Sequence, residues 1–184
     1  MTTLIEYLKH KRRALLARRE WIHRHPDFSS IKISASAVAA GRSGIRRISV
    51  RDFQIISDSP INFAGYDLGP TSPELFLGSL SSCLTHTFLI QAADLEIALN
   101  GINVEVWANI DPRAGTPGYE HAIIYPHDIG FVATIITEVT QLDELIDRVE
   151  RFCPILTVLR RGNEVKGKFI RRAPEISMAS STTS

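Results

Sequence analysis

Cysteine is scarce in this chain. The 184 residues hold two, Cys83 and Cys153, 70 positions apart. That spacing excludes a disulfide-stapled small scaffold, and neither residue belongs to a local CxxC pair. No uninterrupted apolar run approaches the roughly 18 residues needed to span a bilayer. The N-terminus lacks the apolar stretch and small-residue cleavage site of a secretory signal. These absences place the protein in the cytoplasm. In a reducing compartment two cysteines point to catalysis or to inert burial, not to a structural staple. The P-loop, the dinucleotide-binding glycine pattern, HExxH and GxSxG are also missing, so no cofactor is expected.

Net charge is nearly absent as well, at +1, but it is unevenly spread. Residues 1–25 contain seven Lys/Arg (Lys9, Lys11, Arg12, Arg13, Arg18, Arg19, Arg24) against Glu6 and Glu20. A basic leading helix can touch nucleic acid or a membrane surface. Here no aromatic stacking platform or groove-reading motif accompanies the charge. The expectation is therefore a solvated face or an arm packed on an acidic body, with neither nucleic acid nor membrane as partner. The content of 44% hydrophobic and 22% charged residues is that of one globular domain with a real core.

Patterning predicts an α+β protein. Residues 2–24 read as a helix with Leu4, Ile5, Leu8, Leu15 and Ile22 on one stripe, stopped by His25-Pro26. Ile31–Ala40 reads as a strand, Gly41-Arg42-Ser43-Gly44 as a turn, and Ile45–Ile56 as a returning strand. A loop spans 57–72. Ser72 before Pro73 is one N-cap for the next helix, and Thr71-x-x-Glu74 is a rival capping box. That helix runs to about Asp94, is apolar nearly all round and should be buried. Strands follow at 102–110, 122–125 and 129–137. Thr140 is expected to cap an amphipathic helix that delivers Cys153 at its end, and 163–171 reads as a final strand. The division is a helical extension at 1–27, an α+β domain at 28–172 and a disordered tail at 173–184. Arg46, Arg47, Arg160 and Arg161 are expected at the surface.

The reactive form of cysteine is the thiolate, and a thiol with pKa near 8.5 is mostly protonated at neutral pH. Cys83 lies about eleven residues into its helix, roughly 16 Å from the start, where the dipole of that helix has faded. A cation from elsewhere is required. His86, three residues on, shares the helix face of Cys83; Arg42, in the glycine turn, is the other candidate.

Pro73-Glu74-Leu75, the small-residue stretch ending Ser81-Ser82-Cys83-Leu84-Thr85, Gly101-Ile102 and Cys153-Pro154 resemble the OsmC/Ohr family of osmotically induced and organic hydroperoxide resistance proteins. The match covers about residues 31–171. The resemblance implies an intertwined homodimer with a curved antiparallel sheet around central helices, to which the N-terminal helix is an addition. It also implies thiol-dependent reduction of organic hydroperoxides. Cys83 would attack the peroxide and Cys153 would resolve the sulfenic acid to a disulfide, which an external dithiol reduces. Ala40-Gly41-Arg42-Ser43-Gly44 resembles the family's arginine turn, so Arg42 would stabilise the thiolate and Glu74 would hold Arg42. One departure stands out. Glu74 precedes Cys83 by nine residues where the family pattern has ten, which turns Glu74 to the opposite helix face, about 13.5 Å along the axis. If Glu74 takes part, a second chain or a loop-borne Arg42 must bridge that gap.

Two other readings compete. A non-catalytic dimer of the same fold could bind an apolar ligand or partner, with both cysteines buried and inert. Cys83, His86, Cys153 and Glu74 are ligand types for zinc, but C-x-x-H followed by one distant cysteine is no established zinc spacing, and no metal is expected.

Overall fold

The computed structural model describes residues 3–39, 41 and 43–171. Arg42 and the expected disordered tail at 173–184 lie outside the described residues. Helix α1 spans Leu4–Arg24 and opens with a capping box: Thr3 Oγ1 accepts the Glu6 N–H, and Glu6 Oε2 accepts the Thr3 N–H. Strands β1 (Ser36–Ala39), β2 (Arg46–Val50) and β3 (Phe53–Ser57) form an antiparallel sheet in that order. A 3₁₀ turn at Ile61–Phe63 leads to helix α2, Ser72–Asp94. Strands β4 (Gly101–Asn109) and β5 (His127–Ile136) pair antiparallel as a second sheet. Helices α3 (Asp143–Phe152) and α4 (Pro154–Arg161) close the described chain.

The α+β class is as patterning predicts, and the antiparallel sheet is present in two pieces. Helix α2 is the centre. Its length and composition alone would suit a membrane span, but here β4, α1, α3 and α4 all pack against it. Leu80, Leu84, Leu99, Leu145, Val149 and Cys153 are fully buried around it. The alternation of β4 turns Ile102, Val104 and Val106 towards this core, opposite Ile135, Ala133 and Phe131 of β5. Ser81 Oγ donates to the Val104 carbonyl at 2.8 Å and pins α2 to the sheet. Close approach requires glycine at 130, where an added Cβ would meet the Trp107 ring at 2.5 Å.

Several boundaries differ from the sequence reading, each for a pairing or capping reason. β1 starts at Ser36 because its first partner is Ser49 of β2, and among the described residues none pairs with 31–35. The stretch 45–56 is two strands, since Val50 pairs with Phe53 around a tight turn with Arg51 in the left-handed region at φ 54°. No Asn or Gly announces that turn. Residues 122–125 form no strand because β4 already ends at Asn109, opposite His127. Residues 163–171 run without a described partner strand, and Phe169 is fully exposed. Thr71, not Ser72, caps α2. α3 begins after Leu142 without any side-chain cap, so Thr140 plays no such part.

Arg46 is no free surface charge. Its guanidinium donates to the carbonyls of Gly44 and Asp58 and to the hydroxyls of Ser57 and Ser59. The buried Asp58 carboxylate in turn accepts the N–H groups of Ser59, Tyr66 and Leu68. Those bonds, Ser59 first, hold its pKa below the ordinary range. The cluster fastens the turn after β1 to the loop after β3.

Helix α1 lies against α2 as an arm. Of its residues Leu8 is buried, and Leu4 and Leu15 pack beside the core. Burial of one leucine stabilises by about 1.5–3 kcal/mol, so polar contacts matter for its docking. Arg19 meets the Asp94 carboxylate with two hydrogen bonds at 2.6 and 2.9 Å. Arg12 pairs with Glu96 and donates to the Asp94 carbonyl. Arg148 of α3 reaches Asp94 from the other side at 3.0 Å. Asp94 is thus the clasp of three helices, and the Arg19 hydrogen bond, with Arg148 and Arg12 behind it, depresses its pKa.

Asp94→Asn should cost about 1 kcal/mol, since Arg19 is half-exposed and its pair is screened. Thermal denaturation should then show Tm lower by about 2–4 °C. Because the folded pKa of Asp94 is depressed, the clasp is fully present above the unfolded value near 3.9 and is lost as pH falls through the folded one. Protection of the α1 amides from hydrogen exchange should therefore fall as pH drops below about 4 in the native chain, and Asp94→Asn should show reduced protection already at neutral pH.

Candidate active site

The two cysteines meet. Cys83 sits mid-way along α2, partly shielded, and Cys153 is fully buried at the break between α3 and α4. Proline explains the break. Pro154 cannot continue a helix from α3, and the residue before it is pushed to extended geometry. Cys153 has φ −73° and ψ 110°, and it serves as both C-cap of α3 and N-cap of α4. Pro154 then suits the first position of α4. The outcome is a Cys153 Sγ 3.5 Å from Cys83 Sγ. A disulfide needs about 2.05 Å, so both are free thiols in contact.

The electrostatics of Cys83 is a contest. Burial pushes its thiol pKa up; the neighbouring Cys153 pushes in the same direction. Against this, the neighbouring Ile155 backbone N–H and Thr87 side chain pull it down. Burial wins, and the pKa is raised. Among the described residues no cation contributes to that balance.

The predicted site residues separate accordingly. His86 turns to α1, where its Nε2 lies 2.9 Å from Lys11 Nζ. Burial, then the Lys11 charge, lowers its pKa, so His86 is a neutral ring and cannot be the cation for Cys83. Glu74 is brought to the start of α2 instead of the sulfur. Its Oε2 accepts from Thr71 N at 2.6 Å and from Thr71 Oγ1 at 2.8 Å. Those bonds, the backbone one first, lower its pKa. Cys83, His86, Cys153 and Glu74 therefore do not converge as zinc ligands, and the described residues contain no group of three or more His, Cys, Asp or Glu placed to hold a metal.

Two participants escaped the sequence reading. Thr87 was legible in principle, because i+4 puts it on the face of Cys83. The Ile155 N–H was not: Cys-Pro signals a helix start, but nothing local says which side chain that start will meet. An open groove, apolar over most of its wall but with His127, Asp128 and Arg160 also lining it, lies one helical turn from the thiols. Leu80 and Leu156 contribute to it, each three residues from a cysteine on its own helix, together with Tyr125, Ile129, Phe131 and Leu159.

The comparisons with known proteins follow the same outline. A family model described as OsmC-like protein matches residues 65–168. An OsmC-like protein from Mycoplasma pneumoniae is 22% identical, with 73% of this chain and 91% of that one covered and a TM-score of 0.60. An organic hydroperoxide resistance protein OsmC from Legionella pneumophila is 19% identical over 73% and 93% of the two chains, TM-score 0.51. A Vibrio cholerae protein of the hydroperoxide resistance type, with captopril bound in one of its active sites, is 21% identical over 73% and 88%, TM-score 0.51. At such identities the likeness carries the α+β fold. Among curated proteins none matches this chain.

Cys153→Ala should remove a neighbour that raises the Cys83 pKa. The midpoint of Cys83 alkylation against pH should fall relative to the native chain. His86→Ala should leave that midpoint in place, because its ring is engaged by Lys11; a shift there would show that the imidazole acts on the sulfur after all.

Proposed function

This chain belongs to the OsmC-like protein family, and on that premise we propose that it is a thiol-dependent peroxidase that reduces organic hydroperoxides. The observation that carries the reading is the 3.5 Å contact between Cys83 and Cys153. Ionised Cys83 attacks the outer oxygen of R–O–O–H. The O–O bond breaks, the alkoxide leaves and takes a proton as ROH, and Cys83 becomes a sulfenic acid. The Cys153 sulfur then displaces the sulfenic oxygen as water, and the pair closes to a disulfide. Closure needs the sulfurs to approach by about 1.5 Å, within reach of a rotamer change at the α3–α4 break. An external dithiol reduces the disulfide by two exchange steps and returns both thiols.

Arg42 supplies the cation that offsets burial of Cys83 in this reading, and Glu74 holds it. The cap of α2 uses Glu74 Oε2, which leaves Oε1 for that arginine. An intertwined homodimer gives the arginine turn a route to the thiols. What supports the dimer is apolar surface that one chain leaves open: Val38 on β1, Phe53 on β3, and Val165 and Phe169 in the segment after α4. The apolar groove beside Leu80 and Leu156 favours alkyl hydroperoxides over hydrogen peroxide. Work on such substrates with a dithiol reductant fits a cytoplasmic protein.

A second reading has one observation in its favour. The Cys83 pKa is raised, as expected for an inert buried thiol in a dimer that binds an apolar ligand. Intact-mass analysis separates the two. After one equivalent of cumene hydroperoxide the peroxidase loses two hydrogens, and neither Cys83→Ser nor Cys153→Ser does. Turnover with a dithiol should vanish in Cys83→Ser and fall about 100-fold in Arg42→Ala. Turnover retained by Cys83→Ser rules the mechanism out.

A further inference from the structure

One contact between α1 and α2 joins two groups that repel when both are charged. Lys11 Nζ lies 2.9 Å from His86 Nε2. An ammonium has three protons and no lone pair, and a neutral imidazole offers one ring nitrogen as acceptor. The contact is therefore a hydrogen bond in one protonation state only. Lys11 donates to Nε2, and the ring proton sits on Nδ1. A proton added to Nε2 removes the acceptor and sets a second positive charge against the first.

The seam that this contact closes is loosely filled. Leu8 is the one residue of α1 buried in it. Beside Leu8 a cavity of about 130 Å³ remains, walled by Ile5 of α1, Ala92 and Ala93 of α2, and Ile97. Side chains around a void forfeit dispersion contacts that a close-packed seam would make. Polar contacts thus carry much of the docking. We propose that Lys11 and His86 form an acid-released latch, which fastens α1 to α2 at neutral pH and, once His86 is protonated, loosens the arm and opens the apolar seam beneath it.

The surrounding charges leave the pair to itself. On α1, Arg12 is spent on Glu96 and Arg19 on Asp94. Arg148 of α3 is taken by Asp94 and Glu144, and Arg160 of α4 by Glu150. Glu105 of β4 accepts from Asn103. Cys83, one turn before His86 on α2, faces Cys153. Burial first, then the Lys11 charge, holds the His86 pKa below its ordinary value. A base with a depressed folded pKa contributes stability that is whole above its unfolded value, near 6.5, and is lost as pH falls through the folded one. The latch opens in mild acid, before the Asp94 clasp fails below about pH 4.

Hydrogen exchange of the full-length protein tests this, with peptides from α1 read by mass spectrometry between pH 8 and pH 5. Rates are expressed as protection factors, which removes the intrinsic pH dependence of exchange. Protection of residues 4–24 should fall about fivefold between pH 7 and pH 5, the worth of one hydrogen bond. His86→Gln keeps an acceptor that cannot titrate, and Lys11→Met keeps an apolar stem without the charge; both should stay flat within about twofold. Lys11→Arg keeps the charge and should keep the fall. A flat native profile overturns the proposal. So does an undiminished fall in His86→Gln or Lys11→Met, which would assign the step to the exposed His10, His23 or His25 of α1. Unchanged protection of α2 shows that a variant is folded; should one variant lose it, the other decides. Peroxide turnover bears on none of these outcomes, so the latch and the peroxidase reading stand or fall separately.

Discussion

Helix α2 is apolar over most of its surface, with Ser79, Ser82 and His86 exposed along one side, and burying the rest organises the molecule. Leu80, Leu84, Phe88, Ala92 and Ala93 are buried on it. Covering one side takes β4; covering the others takes α1, α3 and α4. Each fully buried leucine stabilises by about 1.5–3 kcal/mol, so the packing of this one helix outweighs any single polar contact. Cys83 is carried into the same crowded environment because it shares the helix with those leucines.

Burial is thus also what makes the sulfur chemistry difficult. An apolar surround disfavours the thiolate, and Cys153 adds to the penalty. The opposing influences within one chain are two neutral neighbours, the Ile155 N–H and the Thr87 side chain. Neutral donors net about 1 kcal/mol each, enough to soften the shift but not to reverse it. A peroxidase with this geometry needs a full positive charge to arrive from outside the described site, which is the part given to Arg42. The proline break at 153–154 ends one helix and starts another where the second sulfur lies 3.5 Å from the first.

The remaining polar contacts serve attachment. Asp94 collects Arg19 from α1 and Arg148 from α3, which ties a helix with a narrow apolar stripe to a body of opposite charge. Arg46 gathers the loops around the buried Asp58. Neither cluster touches the thiols. Both show cations of this chain engaged in holding elements together.

Local rules made much of this legible. Periodicity identified α1, α2, β4, β5 and the helix ending at Phe152, because side-chain period and burial are set by neighbours a few residues apart. The Cys-Pro sequence marked the break, and Gly-Arg-Ser-Gly marked the turn after β1. Strand pairing was not legible. Residues 122–125 and 163–171 have strand composition and no described partner, since alternation says nothing about whether an edge lies alongside. The site divided on the same line. That Cys83 and Cys153 are the candidate thiols could be read from their local contexts. That Lys11 claims His86, that Thr71 claims Glu74, and that the start of α4 meets Cys83 are contacts between distant segments or competing caps. The packed structure decides these, because hydrogen-bonding groups take the partner that burial brings within about 3 Å.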